Sequence, residues 1–248
     1  MRNILSLYAI LGISFFSTLL PVAHGAEPVA DPRVNGERLN ATMEKMKSFG
    51  QAESGGSGRV AYSNANRDAL SYLAGLLQDA GMQTHIDLAG NLVGELPGKR
   101  QLPPLVLGSH IDTVPNGGHY DGVVGVMGAV EVARSLHDMG IVPEHPLQVV
   151  VWSNEEGGKN GSRSLNGAVQ ASEMDLPSLG DRTIGEGIAY LGGDPARIDD
   201  NRRIAGSIAA YLELHVEQGA LLDRQQLAIG VVDGIVGIRR WNVTVDGF

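Results

Sequence analysis

Pro104-Leu105-Val106-Leu107-Gly108-Ser109-His110-Ile111-Asp112 passes directly from an apolar run into polar side chains that can do chemistry. A second run, Leu147-Gln148-Val149-Val150-Val151-Trp152, ends in the same way, in Ser153-Asn154-Glu155-Glu156. Runs this short, bounded by polar residues, predict strands of a parallel sheet buried on both faces. Between them, Val123 to Met139 lacks Pro, is rich in Ala and Val and stops at Gly140, which predicts the crossover helix of a right-handed unit. A third run, Ala209 to Leu214, leads into His215. Ligands of open α/β sheets bind outside the carboxyl ends of the strands. The three runs therefore predict that His110, Glu155-Glu156 and His215 meet at one edge of a sheet.

Working outward, Leu39, Met43, Met46 and Phe49 fall at helical spacing, and Ser54-Gly55-Gly56-Ser57-Gly58 has loop composition. Ser63 is placed to cap a helix carrying Leu70, Leu73, Leu77 and Ala80, which Gly81 ends. Met82, Thr84, Ile86 and Leu88 alternate as in a half-buried strand, and Leu92 to Leu96 is its neighbour across a turn at Gly90-Asn91. Ile229 to Phe248 reads as strands broken by Gly230, Gly234 and Gly237.

The 248 residues, 43% of them hydrophobic, suffice for a sizeable core. A formal net charge of -9, with no Lys/Arg run interleaved with aromatics, argues against nucleic acid as a partner. The 34 glycines, about twice the ordinary share, indicate many tight turns. With no cysteine, disulfides and thiol chemistry are excluded. Residues 1–25 have the pattern of a secretory signal: Arg2, an apolar stretch from Ile4 to Leu20, and small residues at Ala23 and Gly25. Cleavage before Ala26 is expected, giving an exported protein, periplasmic or secreted, with no stable membrane anchor.

His110 can ligate a metal through one ring nitrogen while Asp112 holds the other. Asp121, in Gly118-His119-Tyr120-Asp121-Gly122, can bridge two divalent ions through its two oxygens. Glu155 and Glu156 repel each other unless a metal neutralises one, which leaves one as ligand and the other as proton carrier. His215 offers a second imidazole, and Gln218, in Glu217-Gln218-Gly219, can orient a substrate. Each of these patterns alone is more often an ordinary turn or a solvated acidic pair; their joint order along the chain is what carries weight.

That order resembles the M20 metallopeptidase family, and within it the branch of N-carbamoyl-L-amino acid hydrolases, β-ureidopropionases and allantoate amidohydrolases. The likeness spans Gly36 to Phe248, through Gly108 to Val114, Gly117 to Gly122, Asn154 to Gly157, Glu213 to Gly219 and Gly234 to Arg240. It implies an α/β fold, with a zinc-peptidase-like catalytic domain over residues 26–236 whose mostly parallel sheet is flanked by helices. Residues 237–248 would then begin an α+β lid or dimerisation domain. It also implies His110 and His215 as terminal metal ligands, Asp121 as the bridge, Glu156 as a ligand, Glu155 as the general base and Asp112 as the catalytic partner of His110. Two divalent ions are expected, zinc first, with manganese or cobalt as alternatives.

The implied activity is hydrolysis of a C–N bond in a small carbamoyl or ureido compound by a full-length homodimer. The alternatives are an M20 aminopeptidase, an N-acyl amino acid deacylase or, from a different class, a non-catalytic binding domain on the same scaffold. Where many members of the branch carry Arg-Phe after Glu-Glu-Gly, this sequence has Gly158-Lys159-Asn160-Gly161. The family's fifth metal ligand, a His, and the lid residues are expected beyond Phe248.

Overall fold

The computed structural model describes residues 33–235, 237, 243–245 and 247. The expected signal segment, and most of the expected lid strand, lie outside the described residues.

α1 (Gly36–Lys47) is capped by Asn35, whose side chain accepts the Arg38 N–H at 3.0 Å. α2 (Asn64–Asp79) is capped by Ser63, which accepts from Asn66 at 3.1 Å, and turns Ala69, Leu70, Leu73 and Leu77 inward. β1 (Gln83–Ile86) and β2 (Leu92–Leu96) form the expected antiparallel hairpin. β3 (Leu105–His110), α3 (Val123–Asp138) and β4 (Leu147–Trp152) form the parallel strand–helix–strand unit. Beyond β4 come α4 (Glu155–Gly158), α5 (Asn160–Ser164), α6 (Ile184–Leu191), β5 (Ala210–Leu212) and α7 (Leu221–Gln225).

The sheet order is β1-β2-β4-β3-β5. Only β2 runs against the others, so the sheet is mostly parallel, as the sequence predicts. β4 shows why its sequence is a continuous apolar run. Val149 and Val151 face the large core formed with α2, α3 and α6, while Val150 and Trp152 face a smaller cluster with Val93 and Val106. Each valine buried in this way stabilises the fold by about 1.5–3 kcal/mol. α3 is apolar nearly all round because it packs against β3, β4, α1 and α2 together.

Two expectations change at the sheet's far edge. The third strand is Ala210–Leu212 rather than Ala209 to Leu214, and it is exposed, with Leu212 at 60%. It pairs with β3 on one side, and among the described residues nothing pairs with the other. Residues 229–235 carry no strand, and Val231 and Ile235 are each 94% exposed. Apolar β-formers do not make a strand unless a sheet edge supplies partners for their backbone groups.

Candidate metal centre

Because β4, β3 and β5 are adjacent and parallel, their carboxyl ends lie side by side. β3 ends on His110, the turn after β4 carries Glu155 and Glu156, and His215 follows β5. Asp121 enters from the start of α3, where Gly122 takes φ +65°. A Cβ on Gly122 would lie 2.4 Å from Cδ2 and Nε2 of His110, so a glycine is required here both for space and for backbone conformation.

His110, Asp121 and His215 each bring a ligand atom within 4.8 Å of the other two. Nε2 of His215 is 3.1 Å from Oδ1 of Asp121 and Nε2 of His110 is 3.8 Å from it; the two rings stack with centroids 6.0 Å apart. The other nitrogens fix the tautomers. Nδ1 of His110 is 3.0 Å from the Asp112 carbonyl oxygen, and Nδ1 of His215 is 2.9 Å from that of Val216. A carbonyl only accepts, so both Nδ1 atoms carry a proton, and the Nε2 atoms are the ring nitrogens that stand beside Asp121. Oδ1 of Asp121 is buried and, among the described residues, accepts no hydrogen bond. A carboxylate oxygen without a hydrogen bond, beside two imidazole nitrogens, is a donor set that fits a divalent cation.

The acids around this point crowd one another. Glu156 is pushed above the usual carboxylate range, first by burial and then by Asp121, with Glu155 and Asp112 adding to the effect and His110 opposing it. Glu155 lies 3.9 Å from Nε2 of His110 and is also held by the Lys159 ammonium. Glu156 faces the same cluster, although its oxygens stay outside the three-residue group.

The structure changes one expected contact. It is the backbone carbonyl of Asp112, not its carboxylate, that receives the His110 proton; the carboxylate stands 3.8 Å away. Both of its oxygens are taken by the first N–H groups of α4, Glu155 at 3.2 Å and Glu156 at 3.1 Å. Asn154 enters α4 in the left-handed region and gives it no side-chain cap, so Asp112 supplies the missing acceptor from across the fold. Burial pushes the Asp112 carboxyl up, opposed by the His110 charge and by these two amides. Gln218, expected at the substrate, donates from Nε2 to Oδ2 of Asp121 at 2.5 Å, which places it at the edge of the same cluster.

The matching family model, Peptidase family M20/M25/M40, spans residues 106–247 and so includes every one of these side chains. The chain belongs to this family. The M20 chain is 34% identical over 220 residues to the N-carbamoyl-L-amino acid amidohydrolase of Geobacillus stearothermophilus, covering 86% of this chain and 54% of that protein. To the ureidoglycolate hydrolase of Arabidopsis thaliana it is 32% identical over 226 residues, covering 86% and 48%. Among solved structures it is similar to a hydantoinase/carbamoylase family amidase from Burkholderia ambifaria, with a TM-score of 0.70, 34% identity, and coverage of 78% of this chain and 48% of that one. The M20 chain thus spans about half the length of the curated relatives it matches.

Sequence reasoning missed the layer beneath the ligands. The buried Arg59 donates from Nε to the Ile111 carbonyl at 2.7 Å and from Nη1 to Met46 and Phe49 at 3.0 Å, tying down the turn between His110 and Asp112. Burial pushes its guanidinium down to about 10, against the opposing charge of Asp112. Tyr62, 1% exposed with φ +65°, packs its ring against Gly187 of α6 with its hydroxyl toward Ser153 and Asn154. A left-handed tyrosine is rare enough to mark a place where the surroundings enforce the backbone. Its motif neighbours, Arg59 and Ser63, are ordinary loop residues by composition, so no sequence signal singled it out.

Proposed function

We propose that the full-length protein is a metal-dependent amidohydrolase that cleaves a C–N bond in small carbamoyl or ureido compounds, such as N-carbamoyl amino acids or ureido acids. The observation that carries this reading is the bare, buried Oδ1 of Asp121 between the Nε2 atoms of His110 and His215. The names of the similar proteins, an N-carbamoyl-L-amino acid amidohydrolase and a ureidoglycolate hydrolase, favour carbamoyl and ureido compounds over peptides.

His110, Asp121, Glu156 and His215 would hold two divalent ions, zinc first. Such ions polarise the scissile carbonyl and acidify water. Glu155 then accepts the proton of the attacking water and returns it to the leaving nitrogen. Asp112 holds the backbone that bears both glutamates by accepting their two N–H groups. Export after cleavage before Ala26, a lid domain continuing from residue 237, a homodimer and a substrate contact from Gln218 belong to the same proposal.

The test is a substrate panel on the full-length protein, stripped of metal and reloaded with zinc, manganese or cobalt. N-carbamoyl amino acids and allantoate should be hydrolysed only after reloading. Turnover confined to dipeptides or N-acyl amino acids would replace this reading with a peptidase or deacylase.

A further inference from the structure

The turn that carries Glu155 and Glu156 is held at its neck by a side chain from the β1–β2 turn, which lies beside the end of β4. Asn91, fully buried in the β1–β2 turn, accepts the Ser153 N–H on Oδ1 at 2.8 Å and donates from Nδ2 to the Gly161 carbonyl at 3.3 Å. Ser153 and Gly161 are the two ends of the turn, and they close on each other through Gly161 N–H to Ser153 O at 3.0 Å. Within the neck, Asn154 and Lys159 both sit in the left-handed region, at φ +51° and +56°. A backbone of that kind persists only where its surroundings over-determine it. Gly161 has no room to be anything else, since a Cβ would come within 2.1 Å of Oδ1 of Asn91.

Asn91 is itself fixed. Asp87 Oδ1 accepts the Asn91 N–H at 2.9 Å, and Oδ2 accepts its side-chain amide at 2.8 Å. Asn201 reaches the same Oδ2 at 3.1 Å and Ser164 Oγ at 2.8 Å, while Ser153 Oγ donates to the Ala89 carbonyl at 2.7 Å. A polar network paired in this way around a fully buried Asn91 favours one geometry over alternatives. We propose that Asn91, braced by Asp87 and Asn201, is a positioning residue that sets where Glu155 and Glu156 stand relative to His110 and Asp121. This rests on the amidohydrolase reading for the roles of the two glutamates. Residues that orient ligands from behind typically change metal affinity or activity by about 10–100-fold when removed.

The experiment uses the full-length protein with Asn91→Ala, Asn91→Asp and Asn201→Ala. The control is Ser135→Ala, which removes another buried hydrogen bond, to Glu131 on α3, away from the site. Zinc affinity is measured by competition with a chromophoric chelator, kcat and KM on a carbamoyl substrate, and melting temperature on all variants. Asn91→Ala should weaken zinc and lower kcat by about 10–100-fold with KM changed less than about threefold, and Asn201→Ala should move both less in the same direction. Ser135→Ala should lower only the melting temperature. Asn91→Asp keeps the acceptor for Ser153, loses the donors to Gly161 and Asp87 and sets a second carboxylate against Asp87, so Asn201→Ala reads the same joint if neither Asn91 variant folds. Wild-type zinc affinity and kcat in a folded Asn91 variant, or in Asn201→Ala where neither Asn91 variant folds, would overturn the proposal. Zinc affinity is read without substrate, so absence of turnover in the wild type counts against the amidohydrolase reading alone.

Discussion

Asp112 accepts the backbone N–H of Glu155 at 3.2 Å, across 43 positions of sequence, and spends its second oxygen on the next amide. A side chain that reads as the partner of His110 is therefore the cap of the turn that bears the proposed base. Asp112→Asn keeps the shape but aims an amide N–H at one of the two donors. A buried donor left without its acceptor costs about 1–3 kcal/mol. Thermal unfolding should show that loss, and kcat should fall by about 10–100-fold. Wild-type turnover in a folded variant would mean the cap is dispensable.

Gly122→Ala places a methyl group against the His110 ring in a backbone conformation that alanine resists. The ring must shift or the start of α3 must move, and either separates His110 from Asp121. Metal content per purified chain should fall well below that of the wild type. A fully loaded Gly122→Ala protein would contradict the close packing described here.

What could be read in the sequence follows a physical division. The strand ends were legible because an apolar run that stops at His110, or at Glu155-Glu156, shows both its burial and its direction. The helix cap at Ser63 was legible because its partner lies three residues on. Asp112, Asn91 and Arg59 were not, because their partners are 43, 62 and 52 residues away and are mostly backbone groups, which have no sequence signature. The short, exposed β5 was over-read because apolar composition does not reveal whether a strand has a neighbour on one side or two.

Glu131 gives the fold a pH dependence independent of the site. Burial pushes its carboxyl up, but the Arg38 guanidinium, with the Asn35 N–H and Ser135 hydroxyl, outweighs this and holds it below the ordinary value. Its folded value is depressed, so its contribution is complete above about pH 4.5 and is lost as pH falls through the lower folded value. Arg38→Met leaves the buried carboxylate unpaired, at about 3–5 kcal/mol. Urea unfolding should show that gap at pH 7 and a narrower one at pH 4, where protonation relieves the variant. A gap unchanged between the two would contradict the assignment.

Export is tested by N-terminal sequencing of the mature protein, which should begin at Ala26. An intact Met1 recovered from a membrane fraction would identify residues 1–25 as an anchor instead.

The central claim is a division of labour between neighbouring carboxylates, with Glu155 moving protons and Glu156 and Asp121 holding metal. The direct measurement is metal content beside kcat for Glu155→Gln, Glu156→Gln and Asp121→Asn in the full-length protein. Glu155→Gln should keep its metal and lose at least about a hundredfold in kcat, the scale of a general base. Glu156→Gln and Asp121→Asn should lose metal and activity together. Undiminished kcat in Glu155→Gln, or full metal content in Asp121→Asn, would contradict it.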